Sequence, residues 1–162
     1  MIPLLREAVS LFLKGTDPKR GKVAVDFQPD ELVPIVRADA GRMIQVILNL
    51  LSNAHEAILA DRSEGRIVVR ARSVAEDGLV RVRVDVLDNG PGIAPAHLDR
   101  IFEPFFTTKD GGTGYGLYLA SEIMREHGGR LTAENIDEGG ACLSVWLPLA
   151  EPGQLPPAPP ES

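Results

Sequence analysis

The sequence predicts an α/β protein, a two-layer sandwich with helices packed on one face of a mixed β-sheet. Three observations predict it. Leu79 to Leu87 alternates without a break: Val80, Val82, Val84 and Val86 face one way, and Arg81, Arg83 and Asp85 face the other, as in a half-buried strand. Ile44, Ile47, Leu48, Leu51, Ala54 and Ile58 follow the spacing of a buried helical face. The elements run helix, hairpin, helix, two strands, long loop, helix, hairpin, an order that fits helices gathered on one side of a sheet.

In chain order, residues 3 to 14 read as a short helix with Leu4, Leu5, Val9, Leu11 and Phe12 as its apolar set. Gly15-Thr16-Asp17-Pro18 breaks it. Lys22 to Phe27 alternates as a strand, and Pro34 to Ala38 reads as a second, short strand at an edge, where proline is tolerated. Asp39 suits the N-cap of the long helix, which should reach about Leu59. Asp61 to Gly65 then turns the chain into a strand over Arg66 to Ser73, and Glu76-Asp77-Gly78 joins that strand to the next. Residues 88 to 113 are rich in glycine, proline and polar side chains, and predict a long loop with a short helix near Pro95 to Phe102. Such a loop in a compact domain is usually functional or disordered. Tyr115 to His127 is a helix closed by Gly128-Gly129. Arg130 to Asn135 and Ala141 to Leu147 are the last two strands, joined through Gly139-Gly140. One domain over 1–149 and a Pro-rich tail or linker over 150–162 are expected.

The 162 residues suit one domain with a real core. A net charge of −6 argues against a general nucleic-acid binder, which would carry a basic patch. A single cysteine, Cys142, excludes an internal disulfide; its apolar neighbours predict a buried strand thiol in a reducing compartment. No uninterrupted apolar run reaches the roughly 18 residues of a membrane span. The N-terminus lacks the basic start and apolar stretch of a signal peptide. No membrane contact is expected from this fragment.

Four segments carry candidate chemistry. On the long helix, Gln45, Asn49, Asn53 and Glu56 share one side. A lone pair of asparagines there reads as a solvent face; amide oxygens with water also suit Mg²⁺, which keeps part of its hydration shell and bridges phosphates. Asp88-Asn89-Gly90-Pro91-Gly92-Ile93 follows the clearest strand. It could be ordinary turn chemistry. Equally, a strand-end carboxylate can accept a hydrogen bond from an exocyclic amino group such as that of adenine, and the glycines would admit a flat ring. Gly111-Gly112-Thr113-Gly114-Tyr115-Gly116-Leu117 opens a helix and is either a hinge or a phosphate cradle. It is neither a Walker A loop nor a dinucleotide fingerprint. Ile101-Phe102-Glu103-Pro104-Phe105-Phe106-Thr107-Thr108-Lys109 places three of the chain's five phenylalanines in a polar loop. They can form a satellite hydrophobic cluster and anchor a ligand-covering loop at once.

Taken together these segments resemble, in order and spacing, the histidine-kinase branch of the GHKL (Bergerat-fold) ATPases. The similarity covers roughly residues 1 to 149 and includes the close from His127-Gly128-Gly129 to Trp146-Leu147-Pro148. Gln45 to Ala57 resembles the asparagine box and Asp88 to Ile93 the first glycine box. Ile101 to Lys109 resembles the phenylalanine box, most closely that of nitrogen-regulatory sensor kinases, and Gly112 to Leu117 the second glycine box. The resemblance implies a Bergerat fold with a long ATP lid near residues 93 to 112, and Mg·ATP as the bound species. Asn49 and Asn53 would hold Mg²⁺. Asp88 would bind the adenine amino group, between Gly90 and Gly92. Gly112, Gly114, Gly116 and Leu117 would wrap the phosphates, and Lys109 would neutralise terminal phosphate charge. Glu56, Ile93, Phe105, Thr108, Thr113 and Tyr115 complete the implied nucleotide set. Tyr115 departs from the more usual leucine.

Gyrase-like hydrolases in this superfamily have a glutamate at the position of Asn49. An asparagine cannot take a proton from water, whereas an imidazole nitrogen already has a lone pair. Asn49 and Lys109 are therefore the residues expected to act on transfer to histidine. No histidine stands in a phosphoacceptor context: His55 is expected on the solvent side, and His97 and His127 to be structural or exposed. The fragment is thus expected to need a separate dimerisation and phosphoacceptor domain, to act upstream of a response regulator, and to be cytoplasmic. The alternative is a nucleotide-binding interaction module, either a pseudokinase or an anti-sigma-like serine kinase. A gyrase-like ATPase fragment is a third, opposed by Asn49 and by chain length.

Overall fold

The computed structural model describes residues 1–150 apart from 18, 20, 31 and 110. The expected tail over 150–162 lies, beyond its first residue, outside the described residues. The elements are α1 (Ile2–Gly15), β1 (Lys22–Pro29), α2 (Ala40–Asp61), β2 (Glu64–Glu76), β3 (Leu79–Asp88), a 3-10 turn (Pro95–His97), α3 (Gly116–Glu126), β4 (Arg130–Asn135) and β5 (Ala141–Pro148). They make one five-stranded mixed sheet in the order β1-β2-β3-β5-β4. β1 runs parallel to β2, and every other pair is antiparallel. The expected α/β sandwich, with helices on one face of a mixed sheet, is what the chain forms.

Asp39 caps α2 by accepting from the Arg42 N–H at 2.8 Å, as its side chain predicts. The helix ends where Arg62 turns extended, its N–H donating to the Ile58 carbonyl. The buried stripe is Met43, Val46, Ile47, Leu50, Leu51, Ala54 and Ile58. Ile44 and Leu48 lie at its margin, only partly buried. This stripe meets Ile67, Val69 and Ala71 of β2, Val82, Val84 and Val86 of β3, and Leu143, Val145 and Leu147 of β5 in one core. α3 adds Ala120, Ile123 and Met124, and α1 adds Leu5, Ala8, Val9 and Phe12. α2 alone among the described helices has the length and hydropathy of a membrane span. Its apolar side is core, and polar residues interrupt the run.

His127 ties the helices together at one end. Its Nδ1–H donates to the Ile123 carbonyl at 2.7 Å, which leaves Nε2 to accept the Asp39 N–H at 3.2 Å. It is structural, as expected. His55, expected on the solvent side, is instead half-buried with its ring edge against Phe12 at 5.6 Å, because α1 covers that side of α2.

The expected strand over 34–38 does not form. Residues 32–39 carry no ladder; among the described residues β1 has β2 as its only neighbour in the sheet, and the last bond there is Asp30 N–H to the Ala71 carbonyl. Pro34 also lacks the donor a ladder needs. β2 is longer than expected at both ends, since Glu64 already pairs with Lys22 and Glu76 still pairs with Leu79. The expected helix near 95–102 shrinks to the 3-10 turn at Pro95–His97. Val80, near the hairpin end of β3, is 48% exposed and not in the core line of its strand.

The sheet's other face is polar yet partly closed. Asp85 is 2% exposed. It receives Arg83 Nε at 2.5 Å, Arg72 Nη2 at 3.1 Å and the Ser144 hydroxyl at 2.6 Å. Trp146 lies between the guanidinium groups of Arg83 and Arg130, 4.8 and 4.5 Å from its ring. Cys142 is buried beside them, as expected, and burial pushes its thiol pKa up. A buried carboxylate with three partners leaves uncompensated charge when it alone is removed. Asp85→Ala should therefore cost about 3 kcal/mol in urea unfolding, and Asp85→Asn, which also removes the charge, nearly as much; small losses in both would mean the network contributes nothing to stability.

Candidate functional site

One edge of α2 is polar where the rest is apolar, and the lid and the start of α3 face that edge. Asn49 Nδ2 donates to the Gly116 carbonyl at 3.1 Å, fastening α2 to the first residue of α3. One turn on, Asn53 Oδ1 and Glu56 Oε2 both accept from the Lys109 ammonium, at 3.1 and 2.7 Å. Lys109 comes from the lid, 56 residues after Asn53. These side chains enclose a cleft of about 380 Å³. Ser52, Thr107, Thr108, Gly111 to Gly114, Gly116 and Leu117 complete its polar and backbone lining, and Ile101 and Phe106 form an apolar wall.

The donor set fits a hard cation. The Asn53 amide oxygen and the Glu56 carboxylate converge on a place already taken by a positive group, the Lys109 ammonium, with Asn49 one turn away on the same edge. Oxygen ligands of this kind suit Mg²⁺, which holds few protein groups and keeps waters. Thr113, Gly114, Gly116 and Leu117 bring backbone to the same cleft at a helix start, where N–H groups favour anions.

The lid folds back on itself to close this end. Gly114 has φ +63°, and a Cβ there would stand 2.7 Å from both the Phe105 carbonyl oxygen and the Phe106 nitrogen. Only glycine lets the second glycine run lie against the phenylalanine segment. Phe106 tucks inward against His97 and Arg100, at 5.3 and 4.7 Å. Phe105 does the opposite. It is 75% exposed, holds a left-handed φ of 64°, and tilts toward Tyr115 at 6.2 Å. Phe105 of the lid and Tyr115 beyond it are thus expected nucleotide-set residues that stay outside the cleft lining.

The strand-end carboxylate lies beyond the other end of the cleft. Asp88 closes β3 and is 6% exposed. Its Oδ1 accepts the Gly90 N–H at 2.8 Å and the Ala141 N–H at 3.4 Å, leaving Oδ2 for a ligand. Burial raises the Asp88 pKa; the two backbone N–H groups and the Lys109 charge oppose that rise. A Cβ on Gly90 would stand 2.9 Å from Asp88 Oδ1 and 3.4 Å from the backbone of α2, so the glycine keeps that approach open. Asp88, Gly90, Gly92 and Ile93 group together but do not line the 380 Å³ cleft.

Sequence reasoning missed Asn135, whose side-chain amide binds Ile93 twice, and Asn89, whose Oδ1 accepts the Arg66 N–H at 2.8 Å and fastens the first glycine run to β2. Asn135 stands before Asp137 to Gly140, where a polar residue looks like ordinary turn chemistry.

A core helix with asparagines on its exposed edge, a buried carboxylate at a strand end and a glycine-rich lid closing on a helix start define a Bergerat-type ATPase domain. Residues 38–151 match the model of the histidine kinase-, DNA gyrase B-, and HSP90-like ATPase family, and the chain belongs to that family. It is 40% identical over 140 residues to the sensor histidine kinase ZraS of Salmonella typhi, covering 86% of this chain and 29% of that protein. It is 48% identical over 149 residues to the two-component sensor PprA of Pseudomonas aeruginosa, covering 90% and 16%. The chain therefore spans less than a third of the length of these relatives. The nucleotide-free catalytic domain of the histidine kinase ThkA superposes with a TM-score of 0.76 at 33% identity, covering 91% of each chain. The relatives are sensor kinases, the branch the motifs resemble.

The burial of Asp88 has a sign that can be tested. A carboxyl whose folded pKa is raised favours the folded state below its unfolded pKa and loses that contribution as pH rises through the folded value. Asparagine keeps the acceptor oxygen without the charge. Asp88→Asn should thus be more heat-stable than wild type at pH 7, and the gap should shrink as pH falls toward about 4. A gap that grows on acidification would contradict the sign.

Proposed function

We propose that this domain binds Mg·ATP and donates the γ-phosphate to a histidine on a separate dimerisation domain, in two-component signalling ahead of a response regulator. The observation that carries the reading is the content of the cleft. Among its described lining residues Glu56 is the only carboxylate, and the Lys109 ammonium sits on it. Asn49, at the helix position nearest Gly116, is an amide bound to backbone. Among the described lining residues no free base faces the cleft to activate water, so the arrangement suits positioning and charge stabilisation better than hydrolysis.

Asn49 and Asn53 would hold Mg²⁺, which when bound neutralises phosphate oxygens and orients them. Asp88 Oδ2 would accept a hydrogen bond from the adenine amino group, with Gly90, Gly92 and Ile93 around the ring. Thr108, Thr113, Gly112, Gly114, Gly116 and Leu117 would surround the phosphates. Lys109 would reach toward the terminal phosphate while staying beside Glu56, so that one ammonium faces both anions. Phe105 and Tyr115, which face outward together, would contact the nucleotide only after the lid rearranges. ATP as substrate and a buried, reduced Cys142 fit a cytoplasmic setting.

The test is a transfer assay with γ-labelled ATP. The chain alone should release little phosphate and carry no label. Supplied with its histidine-bearing dimerisation domain, it should produce label on that domain that is lost in acid and survives base. Acid-stable label on a serine would instead support the serine-kinase reading, and rapid phosphate release by the chain alone would remove the argument from Asn49.

A further inference from the structure

Asp88, the glycines and the lid together leave open what fixes the lid's first residue. Asn135, the last residue of β4, lies 42 residues further along the chain and grips Ile93 with both ends of its side-chain amide. The Ile93 N–H donates to Oδ1 at 2.7 Å, and Nδ2 donates to the Ile93 carbonyl at 2.7 Å. Two bonds to one residue's donor and acceptor fix the orientation of that peptide as well as its position, as a neighbouring strand would.

The turn that begins at Asn135 also reaches the buried carboxylate. The Ala141 N–H donates to Asp88 Oδ1. A Cβ on Gly140, at φ +101°, would collide with the Asp88 carbonyl oxygen, so the turn and the end of β3 are in direct backbone contact. Gly92 is close as well: its Cβ would stand 2.9 Å from Asn135 Oδ1. The turn itself is braced by Ile136 N–H to the Gly140 carbonyl at 3.0 Å and Gly139 N–H to the Ile136 carbonyl at 2.9 Å. One short turn therefore touches the carboxylate, the second glycine and the first residue of the lid.

We propose that Asn135 is a positioning residue for the nucleotide. It pins the root of the lid at Ile93 against the same turn that holds Asp88, so the base-reading end stays preformed while the lid swings from beyond Ile93. The inference rests on the ATP-binding reading above. Asn135 is itself exposed, so its two bonds add little to global stability and act on local geometry.

Wild type, Asn135→Ala and Asn135→Ser are compared in three measurements: Mg·ATP affinity by calorimetry, amide hydrogen exchange at Ile93, and thermal unfolding without nucleotide. Alanine removes both bonds and serine retains one at most. The alanine variant should bind Mg·ATP about tenfold more weakly and exchange the Ile93 amide about tenfold faster. Its Tm should move by less than about 4 °C, and serine should fall between. Unchanged ATP affinity with fast Ile93 exchange would overturn the proposal, as would unchanged exchange. A Tm drop beyond about 10 °C that carries affinity down with it would also overturn it, by making Asn135 a general prop. If alanine does not fold, the serine variant decides by the same criteria. Wild type that fails to bind ATP sinks the nucleotide reading itself, before any variant is compared.

Discussion

Everything in the site depends on α2 serving two media at once. Its inner stripe, from Met43 to Ile58, is the centre of the core. Its edge must still offer Asn49, Asn53 and Glu56 to the cleft. A helix can do both because residues three and four apart share a face while the intervening ones point elsewhere. The amides are thereby held on the helix at the centre of the core, which limits how far they can drift. The lid and α3 then attach to α2 through Lys109 and Gly116, so both are referenced to the core helix.

The two ends of the site use different physics. At the Asp88 end the groups are buried and neutral apart from the carboxylate, and desolvation raises its pKa. Stability is given up there for a carboxylate held ready to accept a hydrogen bond. At the Lys109 end the groups are charged and wetter, and the ion pair with Glu56 is partly solvent-exposed. A partly exposed pair is worth little, so its ammonium could also serve a phosphate at small cost. Under the proposed function the buried end would hold the base and the wetter end the phosphates.

The legible parts of the fold were those governed by local periodicity. α2 and β3 followed from spacings of 3.6 and 2, and Asp39 from capping chemistry. The strand expected at 34–38 does not form, and the neighbour of β1 is instead β2, a parallel pairing across α2 that no local pattern announces. The site followed the same division. Asn49, Asn53, Glu56 and the glycines could be read from the sequence because they lie on regular spacings or break them. Asn135 could not, since its bonds to Ile93 span 42 residues. The outward turn of Phe105 depends on a left-handed φ that nothing in a phenylalanine predicts.

The most direct test of the central claim, that α2, the strand-end carboxylate and the α3 start form one nucleotide site, is a backbone amide chemical-shift titration with Mg·ATP. The account predicts that shifts concentrate at residues 49–57, 88–93 and 106–117, and that α1, β1 and the Arg83–Asp85 face stay still. Shifts confined to the sheet's polar face, or none at saturating nucleotide, would contradict it.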